Sequence, residues 1–407
     1  MIAGDALQTS LPDSPKMSLR RRERGAGAAA RLRRTAMARG RRDGIVIAGG
    51  GLAGALAALA MARHRPDVPL MIVEEGETFG GEGVRSFTDA ELGQDGAELI
   101  GPLAIERWPG FYVAFPGSSR NLGIPYAGFG AVDLHRALVE TLDPRQYRLG
   151  VKVVAVREDA LVLDGGEEIK AQGAIDARGG ASLAALDLLY AARLEREYRF
   201  KAPHRVDRPV LVDATVAQTE RLGFVQCLPL AEDRLIVADV MISDRALPDA
   251  EAGARLDAYV AARGWKTKGK HGEQVQVRPL PTGGDFAAFW RQSGARVAKL
   301  GVRGGFVHPV TGRTLGDAVA TALLLSRQRD FSGAALHDLF EAEAKQVWKK
   351  RELLRLVAAA LAAARPEEGR ALLARLYGLA PATIARFLAD RLGLVDRMRV
   401  QRALRGR

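Results

Sequence analysis

Apolar residues early in the chain form short runs typical of buried strands, separated by a longer segment typical of a helix. GIVIA, residues 44–48, predicts one buried strand, and PLMIVEE, residues 69–75, predicts a second. Between them, residues 53–64 are rich in Ala and Leu and predict a helix. A crossover helix implies parallel pairing of the two strands. The stretch therefore predicts a β–α–β unit, and the folded part of the chain is expected to begin at Asp43.

Later segments predict a second sheet region followed by helices. Residues 147–180 have the pattern of a small meander, whose last strand, IDARG, runs into a glycine turn. FVQCLPL and RLIVADV, separated by AED, predict a β-hairpin. From Leu336 to the end of the chain the apolar spacing is helical. The pattern as a whole predicts an α/β protein with a β-sheet region and a helical C-terminal part.

Most of the excess positive charge lies in the first 42 residues. The formal net charge is +12, and residues 1–42 contribute +8 of it. This arm lacks the apolar segment of a secretory signal. Three interpretations stay open: a disordered tail that touches acidic lipid or nucleic acid, a cleaved targeting segment, or an untranslated stretch before a start at Met37. Because the rest of the chain carries only +4, we expect no nucleic-acid partner.

Two further features limit the classes of protein. The chain has no run of 18 or more apolar residues, so we expect no membrane-spanning helix. Cys227 is the one cysteine, which excludes an internal disulfide framework and a cysteine-based metal cage. We predict no metal site.

The first turn of the β–α–β unit, GGGLAG, has the spacing of a dinucleotide-binding fingerprint. Gly49 would permit the tight turn, Gly51 the approach of a pyrophosphate, and Gly54 close packing of the helix. The N-terminus of the helix would then face the phosphates. Glu74, at the end of the second strand, would accept hydrogen bonds from the adenosine ribose. These four residues are predicted to bind the cofactor.

Two later segments favour FAD over NAD as the dinucleotide. The strand end IDARG places Asp176 and Gly179 in a turn after the inserted meander. The segment 305–322, GFVHPVTGRTLGDAVATA, leads through a glycine-containing loop into an apolar helix, which would cover the flavin end of a long dinucleotide. The residues of these segments predicted to bind the cofactor are Asp176, Gly179, Pro309, Thr311 and Gly312.

The order of motifs resembles that of the bacterial lycopene β-cyclase family, which belongs to the wider fold of FAD-containing monooxygenases. The resemblance runs from about Asp43 to Val400, and GFVHPVTG with its downstream helix is its most diagnostic part. The other matching segments are IVIAGGGLAGALAAL, FPGSSRNLGIPYAGF, AIDARGG, FVQCLPLAEDRLIVADVMISD, PLPTGGDFAAFW and RLYGLAPATIARFLADRLGLVDRMRV.

The resemblance implies a reaction and its partners. The family converts the acyclic ends of lycopene to β-rings by protonation, cyclisation of the cation and deprotonation, without net oxidation. It implies FAD, acting in the reduced form, with NAD(P)H as a candidate reductant. It also implies lycopene or a related acyclic carotenoid as substrate and a cytoplasmic protein peripheral to the inner membrane. An anionic flavin beside a carbocation is electrostatic stabilisation in a dry site.

The chain departs from the family pattern at two places where the substrate end is expected. The family usually has Glu-Asp where this chain has Ala238 and Asp239. Many members also carry a His-Thr-Trp run where this chain has Gly83, Val84 and Arg85. Two alternatives to a cyclase therefore stay open: a flavin-dependent hydroxylase or polyprenyl reductase of the same fold, and a flavin-binding homologue without catalysis.

Three residues are predicted to be catalytic, each with a structural alternative. Asp239 lies among apolar residues of a strand and would be a proton donor with a raised pKa, or the partner of a buried arginine such as Arg303. His308 would face the flavin or the polyene end, or belong to the core. Arg303 would pair with a flavin phosphate or a carboxylate, or lie on the surface. Five aromatic residues would line a substrate tunnel or fill the core: Phe115, Tyr126, Phe129, Phe289 and Trp290.

The predicted architecture is an FAD-binding, doubly wound Rossmann-like domain with an inserted β-sheet substrate domain and a helical C-terminal part. The basic C-terminal helices would lie on a membrane surface or be solvated. We predict these boundaries: a basic, disordered arm over 1–42, the first part of the FAD-binding domain over 43–180, the substrate domain over 181–295, the return of the FAD-binding domain over 296–335, and the helical part over 336–407.

Overall fold

The β–α–β unit predicted from the sequence is present in the computed structural model, which describes residues 43–103, 105–179, 183–248, 250–292 and 296–406. Strand β1 (Ile45–Ala48) pairs in parallel with β2 (Leu70–Val73), and helix α1 (Leu52–His64) connects them. The predicted basic arm lies outside the described residues.

The remaining elements follow in an order that mixes strands and helices. The other strands are β3 (Val84–Thr88), β4 (Glu106–Trp108), β5 (Phe111–Phe115), β6 (Ser118–Leu122), β7 (Tyr126–Gly130), β8 (Tyr147–Arg148), β9 (Val153–Arg157), β10 (Ala160–Leu163), β11 (Glu168–Lys170), β12 (Gly173–Asp176), β13 (Leu186–Phe200), β14 (Val210–Asp213), β15 (Leu222–Ala231), β16 (Arg234–Ser243), β17 (Thr267–Gly284) and β18 (Ala298–Lys299). The other helices are α2 (Asp89–Ile100), α3 (Ala131–Thr141), α4 (Ala252–Ala262), α5 (Phe286–Gln292), α6 (Leu315–Ser326), α7 (Gly333–Lys350), α8 (Glu352–Ala363), α9 (Pro366–Tyr377), α10 (Pro381–Leu388) and α11 (Leu394–Leu404), with short 3₁₀ helices at Pro144–Gln146 and Gly301–Gly304.

A five-stranded sheet in the order β18-β12-β1-β2-β8 forms the first layer, and every pair in it is parallel. Helix α1 contacts α6 beside this sheet. The alanines of α1 are almost all buried, which lets the two helices approach closely. The return of the chain through β18 and α6 therefore completes the domain that β1 begins, as in a doubly wound fold.

The predicted hairpin is confirmed and the predicted meander is confirmed in part, because its last strand, IDARG, is β12 of the parallel sheet. Strands β9, β10 and β11 pair antiparallel to one another after the first helices of the chain. Strands β15 and β16 form an antiparallel hairpin around the turn at 232–233. A second small sheet has the order β3-β7-β4, and both of its strand pairs are antiparallel.

A seven-stranded sheet in the order β17-β13-β16-β15-β14-β5-β6 contains most strands of the region predicted to bind the substrate. Side chains alternate along each strand, so each strand contributes residues to both faces of the sheet. Different helices cover the two faces. One face packs against α4 through residues such as Leu235 and Val237 of β16. The opposite face carries Ala238 and Val240 and packs against the C-terminal helices. Any side chain of β16 therefore belongs to one of two separate environments.

The C-terminal helices α8 to α11 close over this second face. Among the described residues, no single helix is long and apolar enough to cross a membrane. Helices α9 and α10 pass the same test only as a pair, and they are bent by 113° at their junction. The predicted domain boundaries stay predictions.

Candidate active site

The glycine-rich turn between β1 and α1 is tightly packed at its ends and open in its middle. Gly49 has φ +94°, and a Cβ there would lie 2.7 Å from the backbone of Arg178. A Cβ on Gly54 would lie 1.9 Å from the carbonyl oxygen of Gly49. At Gly51, by contrast, a Cβ would meet nothing within 4 Å. The first and third glycines thus allow the turn to close, and the second borders open space at the start of α1.

Glu74 lies next to this turn, at the end of β2. Its Oε2 accepts a hydrogen bond from the backbone N–H of Gly50, and its Oε1 accepts one from Gly76 N at 2.8 Å. Each carboxylate oxygen keeps further lone pairs. Open space at Gly51, a helix N-terminus and an adjacent carboxylate are the features that a dinucleotide needs. The residues present therefore fit the adenosine and pyrophosphate parts of FAD.

Asp176 is the centre of a buried charged group at the end of β12. Its Oδ1 accepts from Arg178 Nε at 2.9 Å and lies 3.2 Å from Arg303 Nε. Arg303 also donates to the backbone carbonyls of Arg178 at 3.0 Å and Gly179 at 2.9 Å. Burial lowers the pKa of Arg303, with Asp176 opposing that effect. Arg303 therefore stabilises the turn after β12, on the dinucleotide side. The geometry gives no support to the catalytic role predicted for it.

His308 holds the loop before α6 against helix α10. Its Nε2 donates to the carbonyl of Phe387 at 3.0 Å, and its Nδ1 accepts from Val310 N at 3.2 Å and Thr311 N at 3.3 Å. Burial, with Arg351 nearby, lowers the pKa of His308 to about 4. The imidazole is neutral and both its nitrogens are engaged. The catalytic role predicted for His308 does not fit this geometry; the residue shapes the loop that contains Pro309.

The same loop forms part of the wall of a cavity. Thr311 lines the cavity. Gly312 has φ +64°, and a Cβ there would lie 2.6 Å from the Cβ of Arg278 on β17. The predicted cofactor residues of this loop therefore lie where the dinucleotide domain meets the seven-stranded sheet.

The cavity lies between the seven-stranded sheet and the C-terminal helices. The space between its walls is about 1350 Å³ with the open solvent included, and about 120 Å³ of it is accessible to the centre of a water molecule. Most of its wall is apolar, and the apolar residues include Leu211, Phe224, Ile236, Val240, Ile242, Leu373, Leu376, Ile384 and Phe387. Of the five aromatic residues predicted to line a tunnel, Tyr126 lines this cavity, whereas Phe129, Phe289 and Trp290 belong to the core beside the parallel sheet. Phe115 packs in the core under the C-terminal helices.

Asp239 lies on the face of β16 that looks away from this cavity. Its carboxylate accepts hydrogen bonds from Arg255 of α4, at 2.5 Å from Nη2 to Oδ2 and 3.2 Å from Nε to Oδ1, and its side chain is 5% exposed. The cavity is instead lined by its neighbours Ile236 and Val240. The predicted proton-donor role does not fit this position. The structural alternative from the sequence, an ion pair with a buried arginine such as Arg303, agrees in kind, but the arginine is Arg255, because α4 covers this face of the strand.

A carboxyl group that the sequence did not single out lies on the cavity wall. Glu195 of β13 pairs directly with Ala238 of β16, so that both side chains point to the same face of the sheet. Arg193 donates to Glu195 Oε2 from Nε at 2.9 Å and lies 2.8 Å from it through Nη2. Glu195 is the one carboxylate among the described residues of the cavity wall. Nothing in the sequence distinguishes Glu195, because the same strand carries five other charged residues: Asp187, Arg193, Arg196, Glu197 and Arg199.

Gly83 makes room for this carboxylate. A Cβ at Gly83 would lie 3.1 Å from Glu195 Oε1 and 2.7 Å from Gln276 Nε2. Gln276 Nε2 is 3.4 Å from the same carboxylate oxygen. The two departures from the family pattern, at 83–85 and at Ala238, thus both lie next to Glu195.

Comparisons with known proteins agree with this fold. The family described as "Lycopene cyclase protein" matches residues 44–404. A lycopene β-cyclase of Pantoea ananas is 32% identical over 358 residues, which are 88% of this chain and 93% of that protein. A lycopene β-cyclase of Pseudescherichia vulneris is 31% identical over 88% of this chain and 92% of that protein.

Two solved structures share the fold at low sequence identity. A geranylgeranyl bacteriochlorophyll reductase-like protein of Thermoplasma acidophilum aligns with a TM-score of 0.62 and 14% identity, over 88% of this chain and 96% of that one. A flavin-dependent halogenase of Xanthomonas campestris aligns with a TM-score of 0.58 and 14% identity, over 90% and 94%. These likenesses show the fold.

Proposed function

The chain belongs to the lycopene cyclase family, and we propose that it is an FAD-dependent lycopene β-cyclase, which converts acyclic ends of lycopene to β-ionone rings without net redox change. The observation that supports this proposal most is a mostly apolar cavity on whose wall Glu195 is the one carboxylate among the residues that the structure describes. Protonation, cyclisation and deprotonation of a hydrocarbon need an acid–base group and little else that is polar.

The proposed cofactor is FAD in its reduced form, with NAD(P)H as the proposed reductant. Gly51 and the N-terminus of α1 would hold the pyrophosphate, and Glu74 the adenosine ribose. Pro309, Thr311 and Gly312 would border the flavin end. When bound, a reduced flavin supplies negative charge that stabilises a nearby cation.

We assign the proton transfers to Glu195. Its O–H bond breaks as a C–H bond forms at the terminal double bond of the substrate. The cation closes a C–C bond to form the ring, and a ring C–H bond then gives its proton back to Glu195. Because one proton is added and one is removed, a single carboxyl group balances the reaction. Arg193, which donates to Oε2, stabilises the carboxylate left after the first step.

The apolar wall keeps water from the cation. Helices α9 and α10 contribute Leu373, Leu376, Ile384 and Phe387 to the cavity. Water at this position would trap the cation as an alcohol, so removing it protects the cyclisation.

Expression in a lycopene-accumulating bacterium tests the proposed reaction. We expect β-ring products of unchanged mass by pigment chromatography and mass spectrometry, because cyclisation only rearranges bonds. A host with an empty vector is the control. A product heavier by oxygen or by hydrogen would identify a hydroxylase or a reductase instead. A flavin-loaded protein that leaves every acyclic polyene unchanged would favour a homologue without catalysis.

We also propose that the protein lies on the cytoplasmic side of the inner membrane as a peripheral protein, with α11 in contact with lipid. Leu394 is 76% exposed and Met398 is 53% exposed on one stripe of this helix. Arg402, one turn further on, is also exposed. A helix with apolar and basic residues on its solvent side suits an acidic lipid surface.

Flotation with acidic lipid vesicles tests this surface. Replacing Leu394 and Met398 together by serine should lower the membrane-bound fraction at least about fivefold, because two apolar side chains no longer enter the lipid. Val132→Ser, at a residue 62% exposed on α3, is the matched control and should bind like the wild type. Equal binding of the double variant, or full release of the wild type by 1 M salt alone, would contradict the proposal.

A further inference from the structure

One end of the cavity carries an excess of positive charge. Arg193 and Arg278 line its wall, and Arg85 of β3 interacts electrostatically with both of them. Among the described residues of the wall, Glu195 is the one carboxylate. Three positive charges and one negative charge therefore leave this end with a formal excess of +2.

Two of these arginines have few partners within the described part of the chain. Arg278 Nη2 donates to Gln276 Oε1 at 3.0 Å, and Arg85 Nη2 donates to the carbonyl of Gly80 at 3.3 Å. The described residues place no carboxylate within ion-pair distance of either guanidinium. The buried Nε of Arg85 has no hydrogen-bond partner among them. Arg85 and Arg278 thus keep both charge and donor capacity for a bound group.

The neighbouring charges do not offset this excess. Glu82 also acts on Arg85, but Glu82 is exposed, so that water and salt screen it. A fourth arginine, Arg313, is paired with Glu91 at 2.7 Å and donates to the hydroxyl of Tyr126. The Arg313–Glu91 pair is therefore balanced within itself.

This arrangement is costly for a reaction that passes through a cation. Burial, together with repulsion from Arg193, Arg85 and Arg313, lowers the pKa of Arg278 to about 9. Uncompensated buried charge is unfavourable, and a cation formed on a neutral hydrocarbon beside it would add to the repulsion. The proposed substrate has no charge that could offset the arginines. A reduced flavin ring that has lost its N1 proton is an anion, and it could.

The arginines also lie where the flavin end of the cofactor is proposed to bind. A Cβ on Gly312 would lie 2.6 Å from the Cβ of Arg278, and both neighbours of Gly312 line the cavity. Arg85 is connected to the dinucleotide turn through Gly80, whose N–H donates to the carbonyl of Gly50 at 2.8 Å. Contacts therefore run from the glycine-rich turn and from the loop before α6 to the same group of arginines.

We propose that Arg85, Arg193 and Arg278 hold the reduced flavin ring of FAD in its anionic form. This inference rests on the proposed function and names the residues that set the charge of its cofactor. A guanidinium donates from a planar fork, which suits the adjacent N1 and O2 acceptors of the ring. Nearby positive charge favours a deprotonated group. The same charge should make the protein bind reduced FAD more tightly than oxidised FAD, whose ring is neutral.

Titration of the reduced flavin in the purified, FAD-loaded protein tests this proposal. Near-ultraviolet absorption distinguishes the anionic ring from the neutral one. The reduced flavin of the wild type should release its proton at least about tenfold more readily than free reduced FAD. Its midpoint potential should lie at least about 30 mV above that of free FAD, which corresponds to tenfold tighter binding of the reduced form. A reduced flavin that titrates as free FAD does would overturn the proposal without any variant.

Variants then locate the charge. Arg278→Gln should raise the proton affinity of the bound reduced flavin at least about fivefold, whereas Arg278→Lys, which keeps a positive charge, should change it less than about twofold. Arg85→Gln repeats the test on a different strand. Arg199→Leu is the matched control, because Arg199 is exposed on the same strand as Arg193 and six residues further along it, about 20 Å away. This control should titrate as the wild type does.

Three results would contradict the assignment. Arg278→Gln may not weaken oxidised and reduced FAD equally, because an unchanged potential would place the arginine on the phosphates. Arg278→Lys must not shift the titration as far as Arg278→Gln, since charge would then not be the cause. The melting temperature of the apoprotein should not fall in Arg278→Gln, because this change removes a buried charge that has no ion-pair partner among the described residues. A large fall would indicate a structural role.

The outcome is separable from that of the proposed reaction. A protein that cyclises lycopene while its reduced flavin titrates like free FAD keeps the proposed function and loses this inference. A protein whose reduced flavin is held as the anion by Arg278, yet which leaves every acyclic carotenoid unchanged, keeps the inference and loses the proposed reaction.

Discussion

Glu195→Gln is expected to lower ring formation at least about a hundredfold while flavin stays bound, because an acid–base group typically contributes this much or more. The amide has nearly the shape of the carboxyl group and keeps an oxygen that Arg193 can reach. It cannot give or take the proton that the reaction needs. The measurement is the rate of β-ring formation by the purified protein, together with its flavin absorption and melting temperature.

The pairing of Glu195 with Ala238 offers a sharper control than a single substitution. Directly opposed residues of an antiparallel pair point to the same face, with Cβ atoms about 5 Å apart. Adding Ala238→Glu to Glu195→Gln moves the carboxyl group across the strand pair and should restore at least about a tenth of the activity. Glu197→Gln, two residues along the same strand and paired with Arg234 at 2.9 Å, should keep normal activity.

Two results would contradict this assignment. A Glu195→Gln protein that cyclises at the wild-type rate would leave the proton transfers to another group. A variant that loses flavin or stability together with activity would indicate a structural role for the Glu195–Arg193 pair.

The parts of the molecule that depend on local sequence were predictable. The glycine-rich turn, α1 and Glu74 lie within one segment of about thirty residues, and each has a residue type demanded by a backbone conformation or a close approach. Gly49 and Gly54 show this directly, since a Cβ at either would collide with backbone atoms. The hairpin of β15 and β16 was predictable for the same reason, because its turn and both strands are contiguous.

The orientation and partners of single side chains were not predictable in this way. Period-two alternation places Asp239 and Ala238 on opposite faces of β16, but it does not say which face borders the cavity. That depends on α4 covering one face and the C-terminal helices covering the other. Asp239, the strongest candidate from the sequence, therefore faces Arg255, 16 residues away.

The site also brings together residues that are far apart in the sequence. The changes at Gly83 and Ala238 are more than 150 residues apart, and Glu195 lies between them in the sequence. Strand pairing brings Glu195 opposite Ala238, and a small sheet brings Gly83 against Glu195 Oε1. A carboxyl group on β13 and a glycine that leaves space for it are one arrangement in three dimensions. The spacing of these residues along the sequence does not indicate this arrangement.

Gly51→Val is expected to lower the affinity for FAD at least about a hundredfold and to leave the fold intact, because about 3 kcal/mol of clash and lost hydrogen bonding corresponds to that factor. Gly51 has φ −61° and ψ −172°, an extended conformation that valine adopts readily. A Cβ there meets no protein atom within 4 Å. The added methyl groups would therefore enter only the space that the pyrophosphate needs. Flavin absorption of the purified protein, with its melting temperature measured in the absence of flavin, gives both quantities.

Gly54→Val is the contrasting variant, and we expect it to destabilise the protein itself. Its Cβ would lie 1.9 Å from the carbonyl oxygen of Gly49, so that α1 cannot pack against the turn and the protein itself should be destabilised. Gly51→Val should thus lose flavin at a nearly normal apoprotein melting temperature, whereas Gly54→Val should lower that temperature or prevent folding. A Gly51→Val protein with a full flavin spectrum would show that the open space at the start of α1 does not hold the pyrophosphate. The cofactor site would then have to be sought elsewhere along the carboxyl ends of β1, β2 and β12.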